Sequence, residues 1–348
     1  MVKLIGLEDL LKSQLKPYVK KIDEEAYYPR EFLLQLGKLG YFHSKDIDYS
    51  EVLLREVQIV EKTAKECMTT AFNIWCHLAS LIYIRSTDNM YLRNNLLPLL
   101  ESGDLLGATG LSNPMKFYAG LEKIHLQARR VDGGYIISGT LPAVSNLGKN
   151  HWLAVIASVD SNQRIMAYVE GNVERLLFKE KLGYLGLNGS ATYACQFDDV
   201  FIPDEWIISE HADSFVEKIR SAFVLYQIPL GFGVTEASIQ SIDKVSGRQA
   251  GCNKYLAIQS KELSEELDDL KSKLEYIIRM ADLQSNWKEV LNIRLQAVHL
   301  TSKATHACML HQGSSGYLQC SPPSRRLRES YFFVNLTPTV KHLGKMLS

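Results

Sequence analysis

At 348 residues, with 46% of them apolar, the chain is long enough for two domains or one large multilayered unit with a real core. Lysine plus arginine and aspartate plus glutamate both number 39, so the formal charge is zero. That excludes bulk electrostatic attraction to nucleic acid as the basis of function, and no local run of basic residues replaces it. No stretch approaches the roughly 18 consecutive apolar residues of a membrane helix, and the N-terminal MVKLIGLEDLLKSQLKPY has scattered charges rather than an apolar signal core. The six cysteines (67, 76, 195, 252, 308 and 320) lie far apart without a Cys-x-x-Cys pair. They are expected to be buried thiols in a soluble cytoplasmic protein, not a disulfide frame or a metal site.

Three zones follow along the chain. Residues 1–105 read as an N-terminal α-helical domain: LEDLLKSQLKPYVKKIDEE, REFLLQLGKLGYF and VLLREVQIVEKTAKECMTTAFNIWCHLASLIYI repeat apolar residues at three and four. Gly40 is placed to end the second of these stretches. Thr70 to Tyr83 is apolar on most faces, which predicts a central helix. Residues 106–212 change period: KIHLQARRV, GYIISGTLPAV, HWLAVIASV, RIMAYVEG and TYACQFDDVFI alternate, with turn signals at Asp132-Gly133-Gly134, Asp160-Ser161-Asn162 and Leu187-Asn188-Gly189. They predict a small antiparallel β-barrel of about seven strands. Residues 213–348 return to helical periodicity, with SFVEKIRSAFVLYQIPLGFGVTEASIQSIDKVSG as one stretch and a last segment from Thr339. The run KELSEELDDLKSKLE reads as the wet face of a bundle helix with i,i+4 pairs. The fold class is therefore α+β: helical domain, central β-barrel, C-terminal four-helix bundle.

Several strings resemble signatures of the acyl-CoA dehydrogenase superfamily, in the family's order. Asn95 to Gly103 resembles its "LP-x-L-x-S-G" helix end, and Gly107 to Pro114 its "A-x-T-E-P" strand and turn. Gly139 to Asn146 is similar to "G-x-K-x-W-I-T-N", and FDDVFIP at 197–203 to "F-D-D-V-x-V-P". Arg248 and Gln259 keep an Arg…Gln spacing, and Gly313-Ser314-Ser315-Gly316-Tyr317 with Arg325 and Arg328-Glu329 looks like "G-G-x-G-Y … R-x-x-R-D".

The resemblance implies FAD as cofactor and assembly into dimers or tetramers. Leu111 and Ser112, in the first turn, would face the flavin pyrimidine ring with backbone N–H groups and one hydroxyl, and Ser145 would stand near flavin N5. As residues alone, the two serines also fit turn caps. Arg248, with Gln259, would reach the FAD pyrophosphate of a neighbouring subunit, or Arg248 is a solvated arginine after Gly247. Gly313 and Ser314 would lie along the adenosine half, or form an ordinary loop. Thr339 matches a threonine that touches the cofactor, while Thr337-Pro338-Thr339 also reads as a helix start with Thr337 at the N-cap.

The departures concern substrate handling. The family's catalytic glutamate position reads Thr337, and a hydroxyl is far too weak a base to take an α-proton near neutral pH. The alternative base position, counted back from Gly233, reads Phe223. A substrate-gathering Asp-x-x-Arg falls on Ser221 and Val224, a loop after the first turn reads Met115 to Gly120, the flavin-packing tryptophan reads Ala143, and a phenylalanine reads Gly251. No catalytic residue is assigned, and neither Glu217 nor Glu236 is placed to compensate. Three readings remain: a flavoprotein oxidoreductase of the superfamily that oxidises or oxygenates a small molecule, as a monooxygenase or oxidase does; a silent subunit that completes a related partner's FAD site; and an acyl-CoA dehydrogenase acting on an acyl-CoA with its base at an unassigned position. His77 is expected to be a satisfied core histidine, and His306 and His311 lack the company of a metal site.

Overall fold

The computed structural model describes residues 4, 6–280 and 282–348; the first residues of the N-terminal segment lie outside this set. Helix α1 (Leu7–Leu10) runs through two irregular turns, Leu11–Leu15 and Lys16–Tyr18, into α2 (Val19–Glu24). Pro17 removes a backbone donor there and breaks the expected continuous helix. Helix α3 (Arg30–Lys38) closes at Gly40, whose φ of 77° fits the expected C-terminal glycine. Helix α4 (Tyr49–Glu66) is capped by Asp48, which accepts from Ser50 N. Helix α5 (Met68–Ser86) is buried at every position from Met68 to Ile84, the central helix that its all-round apolarity predicts. Two short helices, α6 (Met90–Asn95) and α7 (Leu97–Glu101), lead to the sheet.

The middle of the chain is one sheet of eight strands: β1 (Leu106–Thr109), β2 (Leu126–Val131), β3 (Gly134–Val144), β4 (His151–Ser158), β5 (Arg164–Glu170), β6 (Leu176–Glu180), β7 (Tyr193–Pro203) and β8 (Ile207–Ser209). Pairing runs as an open path β6-β7-β3-β2-β4-β5-β8, with β1 beside β4. It is antiparallel except where β4 meets β1 and β2 in parallel. The strand expected at FDDVFIP is the end of β7, bonded along β3. Helix α8 (Ser112–Tyr118) occupies the segment read as a loop replacement.

The C-terminal part contains α9 (Ala212–Leu225), α10 (Ile228–Asp243), α11 (Ser260–Arg279), α12 (Trp287–Gln312), α13 (Pro322–Asn335) and α14 (Val340–Leu347). The stretch read as one helix from Ser214 is split at Tyr226–Gln227, because Pro229 in the first turn of α10 supplies no N–H to the preceding turn. Along α11, Leu263, Leu267, Leu270, Leu274 and Ile278 face the core and the charges face water, as expected. The α14 cap is Thr339, not Thr337: Thr339 accepts from His342 N, and His342 Nδ1 accepts from Thr339 N. Thr337 instead forms a cis peptide with Pro338 in the α13–α14 turn.

Two apolar cores result. The larger joins α4, α5, α9, α10, α12 and α13 to the inner side of the sheet, and the smaller lies within the sheet domain around Leu126, Ile137, Val155 and Phe197. Strand β1 is drawn tightly against α5. A side chain at Gly107 would lie 2.3 Å from Ser80 Cβ, and Ser80 Oγ donates to Ala108 O at 2.9 Å. That close approach carries the end of β1, and with it Thr109, to the junction of sheet and bundle.

Candidate functional site

A cleft of about 460 Å³ opens at that junction, within the size range of small-molecule sites. Its sheet-side wall holds Thr109, Ser112, Ala143, Ser145, Ser190 and Thr192; its bundle-side wall holds Phe72, Trp75, Phe223, Phe332 and Thr337. The ends of β1 and β3 meet through a bridge between Thr109 and Ser145. Tyr83 OH and Thr109 Oγ1 share a hydrogen bond at 2.8 Å, so a buried tyrosine braces the strand end from behind.

Hydroxyls dominate the polar lining. Ser112 Oγ and Thr337 Oγ1 lie 3.1 Å apart and join the first β-turn to the α13–α14 turn. Ser145 and Ser190 both bond Thr192 Oγ1, at 2.7 and 2.8 Å. Behind Thr337, Gln227 Nε2 donates to its carbonyl at 2.9 Å, and Arg294 Nε donates to Gln227 Oε1 at 3.1 Å. Arg294 is fully buried.

Among the described residues, the lining holds no aspartate, glutamate or histidine. Arg328 is its one basic side chain among the described residues, and both of its terminal nitrogens bond Asp23, at 2.7 and 2.6 Å. Burial pushes the Cys76 thiol well above its ordinary pKa, so it stays neutral. Such a lining can donate and accept hydrogen bonds, orient a planar ring and exclude water. It has no group able to abstract a proton from a weak carbon acid near neutral pH.

Of the site residues expected from sequence, Ser112, Ser145, Thr337 and Phe223 meet in this one cleft, with Ala143 beside them. Leu111 is wholly buried behind the turn. Thr339 stays with its helix cap, outside the lining. The others gather elsewhere. Asn253 Nδ2 donates to the carbonyls of Val245 and His311, and His311 Nε2 bonds Ile258 O at 2.9 Å. These bonds tie the turn of Arg248, the approach to Gln259 and the loop of Gly313 and Ser314 into one end of the bundle. Arg248, Gly313 and Ser314 are exposed there, while Gln259 is spent on the carbonyls of Asn253 and Leu256.

Phe72, Trp75, Phe332, Arg328 and Thr192 are lining residues that sequence reasoning missed. The available signal was helical spacing: Phe72 and Trp75 stand three apart on a helix whose every face is apolar. Tyr184 lines the cleft as well, whereas Tyr118 bonds Asp213 and Trp152 stacks on Tyr168.

No family model matches the sequence. A benzylmalonyl-CoA dehydrogenase of Aromatoleum aromaticum is 23% identical over 337 residues, covering 92% of this chain and 89% of that protein. A mitochondrial 2-methylacyl-CoA dehydrogenase of Solanum tuberosum is 24% identical over 356 residues, covering 92% and 83%. Among solved structures, a glutaryl-coenzyme A dehydrogenase in complex with glutaryl-CoA superposes with a TM-score of 0.88 at 18% identity, over 100% of this chain and 95% of that one. The chain has the acyl-CoA dehydrogenase fold and is similar over about nine-tenths of its length to curated acyl-CoA dehydrogenases. A further neighbour with this superfamily fold, a glutaryl-CoA dehydrogenase of Mycobacterium smegmatis in complex with FADH2, matches at TM-score 0.77 and 17% identity over 98% and 92% of the two chains.

Proposed function

We propose that the chain is a flavin-dependent oxidoreductase of the acyl-CoA dehydrogenase superfamily whose chemistry does not rest on a carboxylate base. One observation carries the reading. The cleft assembles Ser112 and Ser145, the hydroxyls expected to face a flavin, together with Thr337 and Phe223, the two expected base positions, and no carboxylate or imidazole among the described residues lines it.

The residues present fit a flavin ring. Ala143 puts only a methyl group on the exposed wall, the cleft is roomy enough, and the serine and threonine hydroxyls can rotate to donate to or accept from ring atoms. A bound flavin supplies two-electron redox chemistry that no side chain of this lining provides. The chain's own groups orient and enclose: Ser112 and Thr337 fix the turn between sheet and bundle, and the Ser145–Thr192–Ser190 set fixes the opposite strand end. The alcohols can pass a proton along a hydrogen bond, but they cannot initiate α,β-desaturation of a thioester. Oxidation or oxygenation of a substrate that needs no α-proton abstraction agrees with this lining.

The test is an absorption spectrum of the purified protein before and after FAD is added, followed by anaerobic mixing with acyl-CoAs. A band at roughly 450 nm that acyl-CoAs do not bleach is expected. A protein that stays colourless with FAD overturns flavin binding, and prompt bleaching by a straight-chain acyl-CoA overturns the base-free reading.

The second reading is a subunit that completes a related partner's FAD site. It is favoured by the separate, exposed gathering of Arg248, Gly313 and Ser314. A flavin band that appears only on co-expression with a relative would support it.

A further inference from the structure

We propose that the bundle-side end of the cleft is a recognition site for a neutral aromatic group on the substrate. This deepens the oxidoreductase reading by naming what the non-flavin side of the same cleft takes.

Four rings form that end. Phe72 and Trp75, three residues apart on α5, lie on one helix face with centroids 5.4 Å apart. Phe223 from α9 meets Trp75 edge to face at 5.0 Å, and Phe332 from α13 meets Phe72 edge to face at 4.7 Å. All four line the cleft. Trp75 Nε1 donates to Phe223 O at 3.1 Å, which satisfies the indole's one donor and fixes its ring against α9. Phe72, Trp75 and Phe223 are 4%, 4% and 1% exposed, so packing holds the rings in place before any ligand arrives.

Ring edges and faces held in this way select for another ring. Edge-to-face and offset contacts add to simple burial by about two- to tenfold in affinity per ring pair, and a saturated group of the same size gains only the burial. Charge is selected against. The Phe72 and Trp75 rings that could attract a cation are already packed against each other and against Phe332 and Phe223, no carboxylate among the described residues of the lining adds to them, and Asp23 already neutralises the Arg328 guanidinium. An anion entering here would be desolvated without a free partner.

The experiment is a calorimetric titration of the full chain, as purified, with four probes: N-benzylacetamide, its saturated counterpart N-(cyclohexylmethyl)acetamide, phenylacetate and benzyltrimethylammonium. N-benzylacetamide is expected to bind about three- to tenfold more tightly than the cyclohexyl probe, with both ions weaker still. Phe223→Leu and the half-buried Phe332→Leu should each erode the aromatic preference about threefold and leave the cyclohexyl affinity within about twofold. Phe332→Leu serves as the second variant if Phe223→Leu does not fold. Equal binding of the two neutral probes, tighter binding of either ion, or no saturable binding of any probe overturns the proposal. None of the probes needs flavin, so the absorption spectrum decides the flavin reading separately.

Discussion

Ser112 and Thr337, 225 residues apart, share a hydrogen bond of 3.1 Å between their hydroxyls across the cleft. The contact joins the two turns that bring sheet and bundle together, and it stands where the family resemblance places a base. Thr337→Glu would put a carboxylate beside the Ser112 hydroxyl in a position only 8% exposed. Burial would raise its pKa and strengthen it as a base. If the missing carboxylate is what limits thioester chemistry, the variant should bleach a bound flavin with acyl-CoA at least about 10²-fold faster than the wild type. Stopped-flow absorbance under anaerobic conditions reads the result, and an unchanged rate would mean that the lost base is not the limiting departure.

His77 predicts an acid-labile fold. It is 1% exposed, Nδ1 accepts from Gly107 N at 3.0 Å, and Nε2 bonds Leu100 O at 3.1 Å. The ring is therefore neutral with its proton on Nε2. Burial, aided by repulsion from Arg85 and His151 and opposed by the Leu100 carbonyl, pushes its pKa down from 6.5 to about 3. Between those values the unfolded chain binds a proton that the folded chain does not. Stability should therefore fall as pH drops from about 6.5 toward 3, by as much as ~5 kcal/mol from this group. Burial also lowers the pKa of His151, which adds to the slope. Urea midpoints measured from pH 7 to 4 should show a shallower slope for His77→Gln, which can keep one donor and one acceptor.

The cleft mouth is clasped by one ion pair. Arg328 bonds Asp23 with both terminal nitrogens and also reaches Leu185 O at 3.3 Å, so α13, α2 and the 181–187 loop meet at a single guanidinium. The loop is braced internally by Asn188, which exchanges two hydrogen bonds with the Tyr184 backbone. A double-mutant cycle of Asp23→Asn and Arg328→Met should give a coupling of about 1–2 kcal/mol, as fits a bidentate and mostly buried pair. Amide exchange at 184–187 should speed up in Arg328→Met and leave the β7 amides unchanged.

What was legible from sequence, and what was not, divides on physical grounds. Period and local strings carried the three-part fold, the all-buried α5 and the strand at FDDVFIP, because each is written in contiguous residues. Ser112, Ser145, Thr337 and Phe223 reached one cleft because the resemblance fixed their relative places along the chain. The N-cap expected at Thr337 fell to Thr339, since local spacing allowed both and the capping box with His342 decided between them. Gln227, Arg294 and Asp23 had no readable signal. Each matters through a partner tens to hundreds of residues away, and a lone Gln, Arg or Asp in a helix looks like surface.

Arg294 gives the least intuitive prediction. It is fully buried, sits 3.8 Å over the Phe333 ring, and bonds only Gln227 Oε1 and Phe333 O; its Nη1 has no protein partner among the described residues. Burial pushes its pKa down to about 9. Between about 9 and the ordinary value of 12.5 the unfolded chain holds the extra proton, so raising pH through that window relieves the strain of burying the charge. At neutral pH the folded protein carries that charge, offset by two hydrogen bonds and the ring. Arg294→Met removes the buried charge but leaves two acceptors unpaired, at about 1–3 kcal/mol each; the opposing terms should bring it within about 2 kcal/mol of the wild type. Gln227→Leu keeps the charge and takes away its best acceptor, and also frees the Thr337 carbonyl. It should cost about 3 kcal/mol or more. Urea unfolding at pH 7 ranks the two variants, and a larger loss for Arg294→Met would show that the guanidinium's hydrogen bonds outweigh the burial of its charge.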